Sequence, residues 1–157
     1  MCLRCVTAAG VLILALPFAG STATTRDEAG KEPVPFTTVS AGASTHHPRR
    51  NGVFLARSLA ATKTWSGWVT PQARKALRRV NLARYGVVVV FRLQKSTGVK
   101  ITRIALSSRT LGLWLVIPKP PPPDPTIVTL GAYDLVAVER RYLRNVSGLV
   151  VRAVTVE

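Results

Sequence analysis

Cysteine, histidine and acidic residues are scarce in this 157-residue chain: two cysteines, two histidines and seven Asp+Glu. Both cysteines, Cys2 and Cys5, fall within the first five residues, so no disulfide framework can staple the rest of the chain. Neither they nor the adjacent His46 and His47 have the spacing of a structural zinc site. The two histidines stand in a turn-prone stretch beside Arg49 and Arg50, where neighbouring side chains point apart, and solvent-facing loop residues are the simpler reading. No phosphate-cradling glycine loop of the G-x-x-x-x-G-K or G-x-G-x-x-G type occurs.

The scarcity of acids bears directly on catalysis. Beyond residue 35 only Asp124, Asp134, Glu139 and Glu157 could serve as general acids or bases. Asp124 lies within Pro123-Asp124-Pro125, where a turn accounts for it, and Glu157 is the final residue. Asp134 and Glu139 fall on opposite faces of one expected strand, because strand side chains alternate with period two. No serine stands in a Gly-x-Ser-x-Gly elbow. The expectation is a protein that is not an enzyme and carries no metal or cofactor.

What is abundant is positive charge on an apolar background. Lys+Arg number 22, giving a formal charge of +15 and a pI of about 11.4, while 47 % of residues are hydrophobic. That apolar fraction is enough for a packed core and excludes a wholly disordered basic tail. The chain opens with Arg4 and an uncharged, mostly apolar run from Val6 to Gly20, followed by the small residues Ser21-Thr22-Ala23. This is the pattern of a secretory signal peptide over residues 1–23, with cleavage expected after Ala23, or else after Ser21. The expected location is therefore secreted or periplasmic, with no membrane span after cleavage. Both cysteines precede the expected site, so no lipid-anchor cysteine is retained.

A polar, Pro-containing stretch over 24–35 reads as a flexible leader, and residues 36–157 as one β-rich domain. Strands are expected over Phe36–Ala43 and Val53–Arg57. Ser58 can cap a short helix over Leu59–Lys63, and Thr70-Pro71 is a stronger start signal for a helix running to Val80. In that helix Ala73, Ala76, Leu77 and Val80 form one stripe, and Arg74, Lys75, Arg78 and Arg79 the opposite face. Further strands are expected over Tyr85–Lys95, Val99–Leu106, Leu111–Ile117, Thr126–Leu130, Ala132–Glu139 and Leu149–Val156, separated by Gly-, Pro-, Ser- and Asn-rich turns. Short connections favour antiparallel pairing. The fold class is β-rich α+β: a small antiparallel β-barrel or sandwich with one or two short helices packed at one end.

The basic residues gather at Arg49-Arg50, on the Arg74, Lys75, Arg78, Arg79 helix face, and at Arg140, Arg141 and Arg144. Such surfaces attract phosphates, sulfates and carboxylates, so an anionic polymer is a candidate partner, without specific nucleic-acid recognition. A merely solvated basic face is the competing account. Trp65 and Trp68 are expected in the core rather than as a stacking platform, and Trp114, in an apolar strand, is expected in the core as well. The run Pro120–Pro123 reads as a rigid connection.

From about Trp65 to Leu143 the order of features resembles the PrcB C-terminal-like family, named after a non-catalytic subunit of a bacterial surface protease complex. The resemblance rests on a Trp-containing lead, Val80-Asn81-Leu82 entering Val87–Phe91, then Ser96-Thr97-Gly98 before a paired strand Lys100–Ile104. A Pro-rich link and the closing strand Ala132–Val138 complete it. Gly98-Val99-Lys100 stands where the family would carry a Gly-Gly-Tyr-like step. The resemblance implies a compact exported β domain that assists a partner and supplies no catalytic residue. The expected function is thus an exported, non-catalytic accessory domain contacting a protein partner in the cell envelope, through a sheet edge or the Pro-rich loop. The alternative is an envelope polyanion-binding protein using Arg74, Lys75, Arg78, Arg79, Arg140 and Arg141.

Overall fold

A computed structural model describes residues 31–45, 51–92, 98–118 and 131–156. The expected signal peptide, most of the leader, His46 and His47, Arg49 and Arg50, the Pro120–Pro123 run, Asp124, the strand expected over Thr126–Leu130 and Glu157 lie outside the described residues.

The central strands are mostly apolar on both parities, the exceptions being Arg92 at the end of one and Asp134 and Glu139 in the other. β4 (Tyr85–Arg92) and β7 (Ala132–Glu139) are buried along nearly their whole length, which requires cover on both faces. They lie side by side and antiparallel in the middle of a four-stranded sheet of order β2-β7-β4-β3, with β2 spanning Phe36–Ala43 and β3 Gly52–Ala56. By contrast β6 (Thr110–Pro118) alternates strictly between buried and part-exposed positions, the signature of a strand covered on one face only. It belongs to a second sheet, β1-β5-β6-β8, with β1 at Glu32–Pro33, β5 at Lys100–Ser107 and β8 at Gly148–Val156.

The two sheets stack as a sandwich, not a closed barrel. Between them Val88, Val90, Val136 and Val138 of the first sheet meet Ile101, Ile104, Leu111, Leu113, Leu115 and Leu149 of the second. On the far side of the first sheet Val87, Val89, Phe91, Tyr133 and Leu135 are covered by a third layer. That layer consists of α1 (Leu59–Thr62), a 3-10 turn over Ser66–Trp68 and α2 (Pro71–Arg79). The caps expected from sequence are in place: Ala61 N–H donates to Ser58 Oγ at 3.3 Å and Ala73 N–H to Thr70 Oγ1 at 3.2 Å, with Pro71 opening α2. Ala73 and Leu77 are the buried stripe of α2. Trp65 is buried, and Trp68 meets Phe91 edge-on at 5.2 Å between ring centroids, so both tryptophans belong to the core as expected.

Three expectations need correction. β6 and β8 run parallel, in register from Thr110↔Gly148 to Pro118↔Val156. The chain between them crosses to the other sheet as β7 before returning, and this long excursion supplies the crossover that short connections could not. The strand after Gly98 does not pair with β4: β5 lies in the opposite sheet, paired with β1 and β6. The end of the expected leader is structured, because Glu32 and Pro33 pair with Leu106 and Ala105 and Val34 is buried. A further short helix, α3 (Arg140–Leu143), follows the end of β7 at Glu139, in a stretch for which the sequence predicts no element. Its Leu143 plugs the end of the sandwich, and Arg57 Nη2 donates to the carbonyls of Leu143 and Val146, each at 2.8 Å.

Candidate binding edge and basic surfaces

A sheet edge offers unpaired N–H and C=O groups to any incoming strand, and folds usually blunt such edges. Three of the four edges among the described residues are blunted. β1 has only two residues, one of them Pro33. β2 is interrupted by a register shift between Thr38 and Ser40. β3 is five residues long and runs directly into Arg57, Ser58 and α1. β8 is different: it has nine residues, no break in its register with β6, and no described strand on its other side.

Alternation fixes what β8 shows. Leu149 and Val151 turn toward the sandwich core, so Val150, Arg152, Val154 and Val156 line the outer face. Val150, Val154 and Val156 are 43 %, 56 % and 40 % exposed, and they account for three of the four large exposed apolar side chains among the described residues. Isolated exposed valines mean little, but three on one face of one edge strand form a patch.

One strand inward, Trp114 stands on that same outer face, in register with Arg152 of β8 and Arg103 of β5. It is part-exposed, not the core residue expected from sequence. Its ring lies over Gly112: a Cβ built there would come within 3.0 and 3.1 Å of two indole carbons, so a side chain at that position would push the ring off the sheet by a few tenths of an ångström. Three cations surround the ring, Arg103 at 4.8 Å, Arg152 at 5.5 Å and Lys31 at 5.8 Å from its centroid. Each such contact contributes roughly 0.5–1 kcal/mol at an exposed site. The signal for this cluster was present in Leu111-Gly112-Leu113-Trp114-Leu115-Val116-Ile117, where the leucines and isoleucine occupy one parity and Trp114 the other.

The basic clusters do not merge into one surface. Arg74, Lys75, Arg78 and Arg79 are all exposed on the solvent face of α2, in the layer outside the first sheet. The Trp114 cluster lies beyond the second sheet, on the opposite side of the sandwich. Arg140 and Arg141 sit at one end, where Arg140 N–H donates to the Arg84 carbonyl at 2.9 Å. Arg141 is engaged there: its Nε is 2.8 Å from Glu139 Oε2 and its guanidinium lies over Tyr142. Arg84 also approaches Glu139, at 3.8 Å.

Asp134 is the one acid in the interior among the described residues. It is 1 % exposed, lies between the sheets, and its Oδ2 accepts the Ile101 N–H at 2.7 Å beside the irregularity in β5 between Ile101 and Arg103. Its Oδ1 has no hydrogen-bond partner. Burial pushes its pKa above the usual carboxylate value, opposed by hydrogen bonding from the Ile101 and Leu135 N–H groups and by the charge of Lys100. Glu139, by contrast, is at the strand's far end, paired with cations at the surface. The two acids are thus held in separate environments.

No family model, curated protein or solved structure matches this chain. The PrcB-type resemblance therefore rests on the sequence motifs alone.

Proposed function

We propose that this chain is an exported, non-catalytic accessory domain that receives an extended segment of a protein partner along the edge of β8. The observation that carries the reading is the contrast among edges: β1, β2 and β3 are short, proline-bearing or bulged, whereas β8 is long, regular and lined with exposed valines. Strand addition takes affinity from main-chain hydrogen bonds and specificity from alternate side chains, and it needs neither a cavity nor titratable groups. The leader sequence supports export, and the PrcB-type resemblance supports an assisting role.

In a strand, successive residues direct their N–H groups to opposite sides, so adjacent positions separate edge from ladder. A photo-crosslinking side chain placed at Val154 should trap a partner in the native envelope. One of the two variants Ala153→Pro and Val154→Pro, introduced with the crosslinker moved to Val150, should remove that adduct while the domain stays folded. An adduct indifferent to both prolines, or equally strong with the crosslinker at Gln72 on α2, would refute the proposal.

A second reading is favoured by one observation: four cations occupy one exposed face of α2, whose first turn has no acid. That face suits an anionic envelope polymer, with Arg140 and Arg141 at the neighbouring end of the sheet as further contacts.

A further inference from the structure

The cations of α2 stand in two rows. Arg74 and Arg78 form one and Lys75 and Arg79 the other, with the members of each row one helical turn apart, about 6 Å along the axis. Like charges at this spacing oppose the helix, and α2 contains no acid to offset them. All four side chains are exposed, and none is in an ion pair or ring contact among the described residues. The apolar side of the same helix, Ala73 and Leu77, is committed to the core, so the exposed side has nothing to insert into a bilayer. Nor does α2 hold an aromatic residue on which a base could stack. A second free cation lies one turn of chain away. Val80–Arg84 lead from α2 into β4, and the Arg84 carbonyl accepts the Arg140 N–H at 2.9 Å. The other two cations at this turn are occupied: Arg84 lies over Tyr85 and 3.8 Å from Glu139, and Arg141 holds Glu139 at 2.8 Å. Arg140 is exposed and pairs with no acid among the described residues. Because α2 covers the outer side of the first sheet and α3 begins at the end of the sandwich, the free cations occupy two surfaces that meet at the Val80–Arg84 turn.

We infer that this basic surface binds a flexible linear polymer of closely spaced phosphates, which lies along α2 and turns the end of the sandwich onto Arg140. This rests on the second reading above and names the class of ligand. A planar membrane surface can lie against α2 or against the end of the sandwich, but not against both. A flexible chain follows the bend. The spacing of the rows selects dense charge: a glycan with one carboxylate per sugar pair brings a single charge to α2 at a time, whereas a chain with a phosphate in every unit meets both rows at once. Four of the five free cations are arginines, whose planar fork takes two phosphate oxygens together.

The test uses the intact chain with labelled inorganic tripolyphosphate and labelled long-chain polyphosphate, read by fluorescence anisotropy over a range of salt. Per phosphate, the long chain should bind about tenfold more tightly than the short one. Each phosphate contact contributes about 0.7 to the slope of log Kd against log salt, so Arg140→Gln should lower the long-chain slope by about 0.7 and leave tripolyphosphate binding unchanged. Replacing Arg74, Lys75, Arg78 and Arg79 with glutamine should remove binding of both probes; all five positions are exposed, and circular dichroism should show the fold retained. Arg140→Gln indistinguishable from the parent on the long chain would overturn the path round the end while leaving the second reading standing. Binding indifferent to the four α2 substitutions would overturn that reading, and this inference with it. Phosphatidylglycerol vesicles that displace the long chain at equal phosphate concentration would replace the polymer by a membrane surface, and hyaluronate that does so at equal charge would overturn the selection of phosphate.

Discussion

The buried carboxylate of Asp134 gives a sharp stability experiment, because its two oxygens have different fates. Oδ2 is held by the Ile101 N–H at 2.7 Å and Oδ1 has no partner. Asp134→Leu removes the acceptor and leaves the Ile101 N–H buried without one, which costs about 1–3 kcal/mol; Asp134→Asn keeps an acceptor and removes the charge. The difference between the two variants should therefore be about 1–3 kcal/mol at every pH. The difference between the parent and Asp134→Asn should instead vary with pH. Burial raises the pKa of Asp134 in the folded state, so the folded chain holds this proton more tightly than the unfolded chain does. Its contribution is then fully present below the unfolded carboxylate pKa and lost as pH rises through the folded one. Urea denaturation across pH 4 to 8 should show the parent losing stability relative to Asp134→Asn with rising pH, over the window just above the ordinary Asp value of about 4. A parent that gains relative stability across that window, or two variants of equal stability, would refute this account of the carboxylate.

Three further outcomes follow from the packing and the charge. Arg57→Met should destabilise by roughly 2 kcal/mol in urea denaturation, since it takes away the donors that satisfy the Leu143 and Val146 carbonyls behind α3. Gly86→Ala should cost about 1–3 kcal/mol, because a Cβ at that position of β4 runs into Leu143 Cδ1 and approaches the Ala56 carbonyl; a neutral result in thermal denaturation would mean that α3 is not seated as described. Reversing Arg74, Lys75, Arg78 and Arg79 to glutamate should abolish retention on a sulfated polysaccharide column and the salt dependence of that retention, and unchanged elution would leave the α2 face as a solvated surface only.

What the sequence made legible is what is decided locally. Ser58 and Thr70-Pro71 mark their helices because a hydroxyl cap and a first-turn proline act within three residues. The basic face of α2 follows from helical periodicity alone. Sheet membership is decided across layers. Nothing within Lys100–Ser107 says that it will leave β4 for the other sheet, and nothing within Gly148–Val156 says that it will lie parallel to β6. The helix α3 was hidden for the same reason: Glu139 gives it no side-chain cap, and it is fixed instead by Arg57 from across the fold and by burial of Leu143. Trp114 was misplaced because an apolar neighbourhood was read as burial. The alternation around it, with Gly112 making room below the ring, places it outside. The edge at β8 was out of reach because an edge is defined by the absence of a neighbour, which only the assembled sheet reveals.

The crossover that makes β6 and β8 parallel also orders events during synthesis. Residues 148–156 follow every other described strand, so a growing polypeptide emerges from the ribosome with the seven other described strands made and β8 still missing. Until then β6 is itself a sheet margin, and its own outer flank carries Trp114 without the arginine that later joins it. Contacts so distant along the chain form late and slowly. A polypeptide whose second sheet waits for residues 148–156 stays unfinished until they are made, and its exposed margin is open to wrong pairing for that interval.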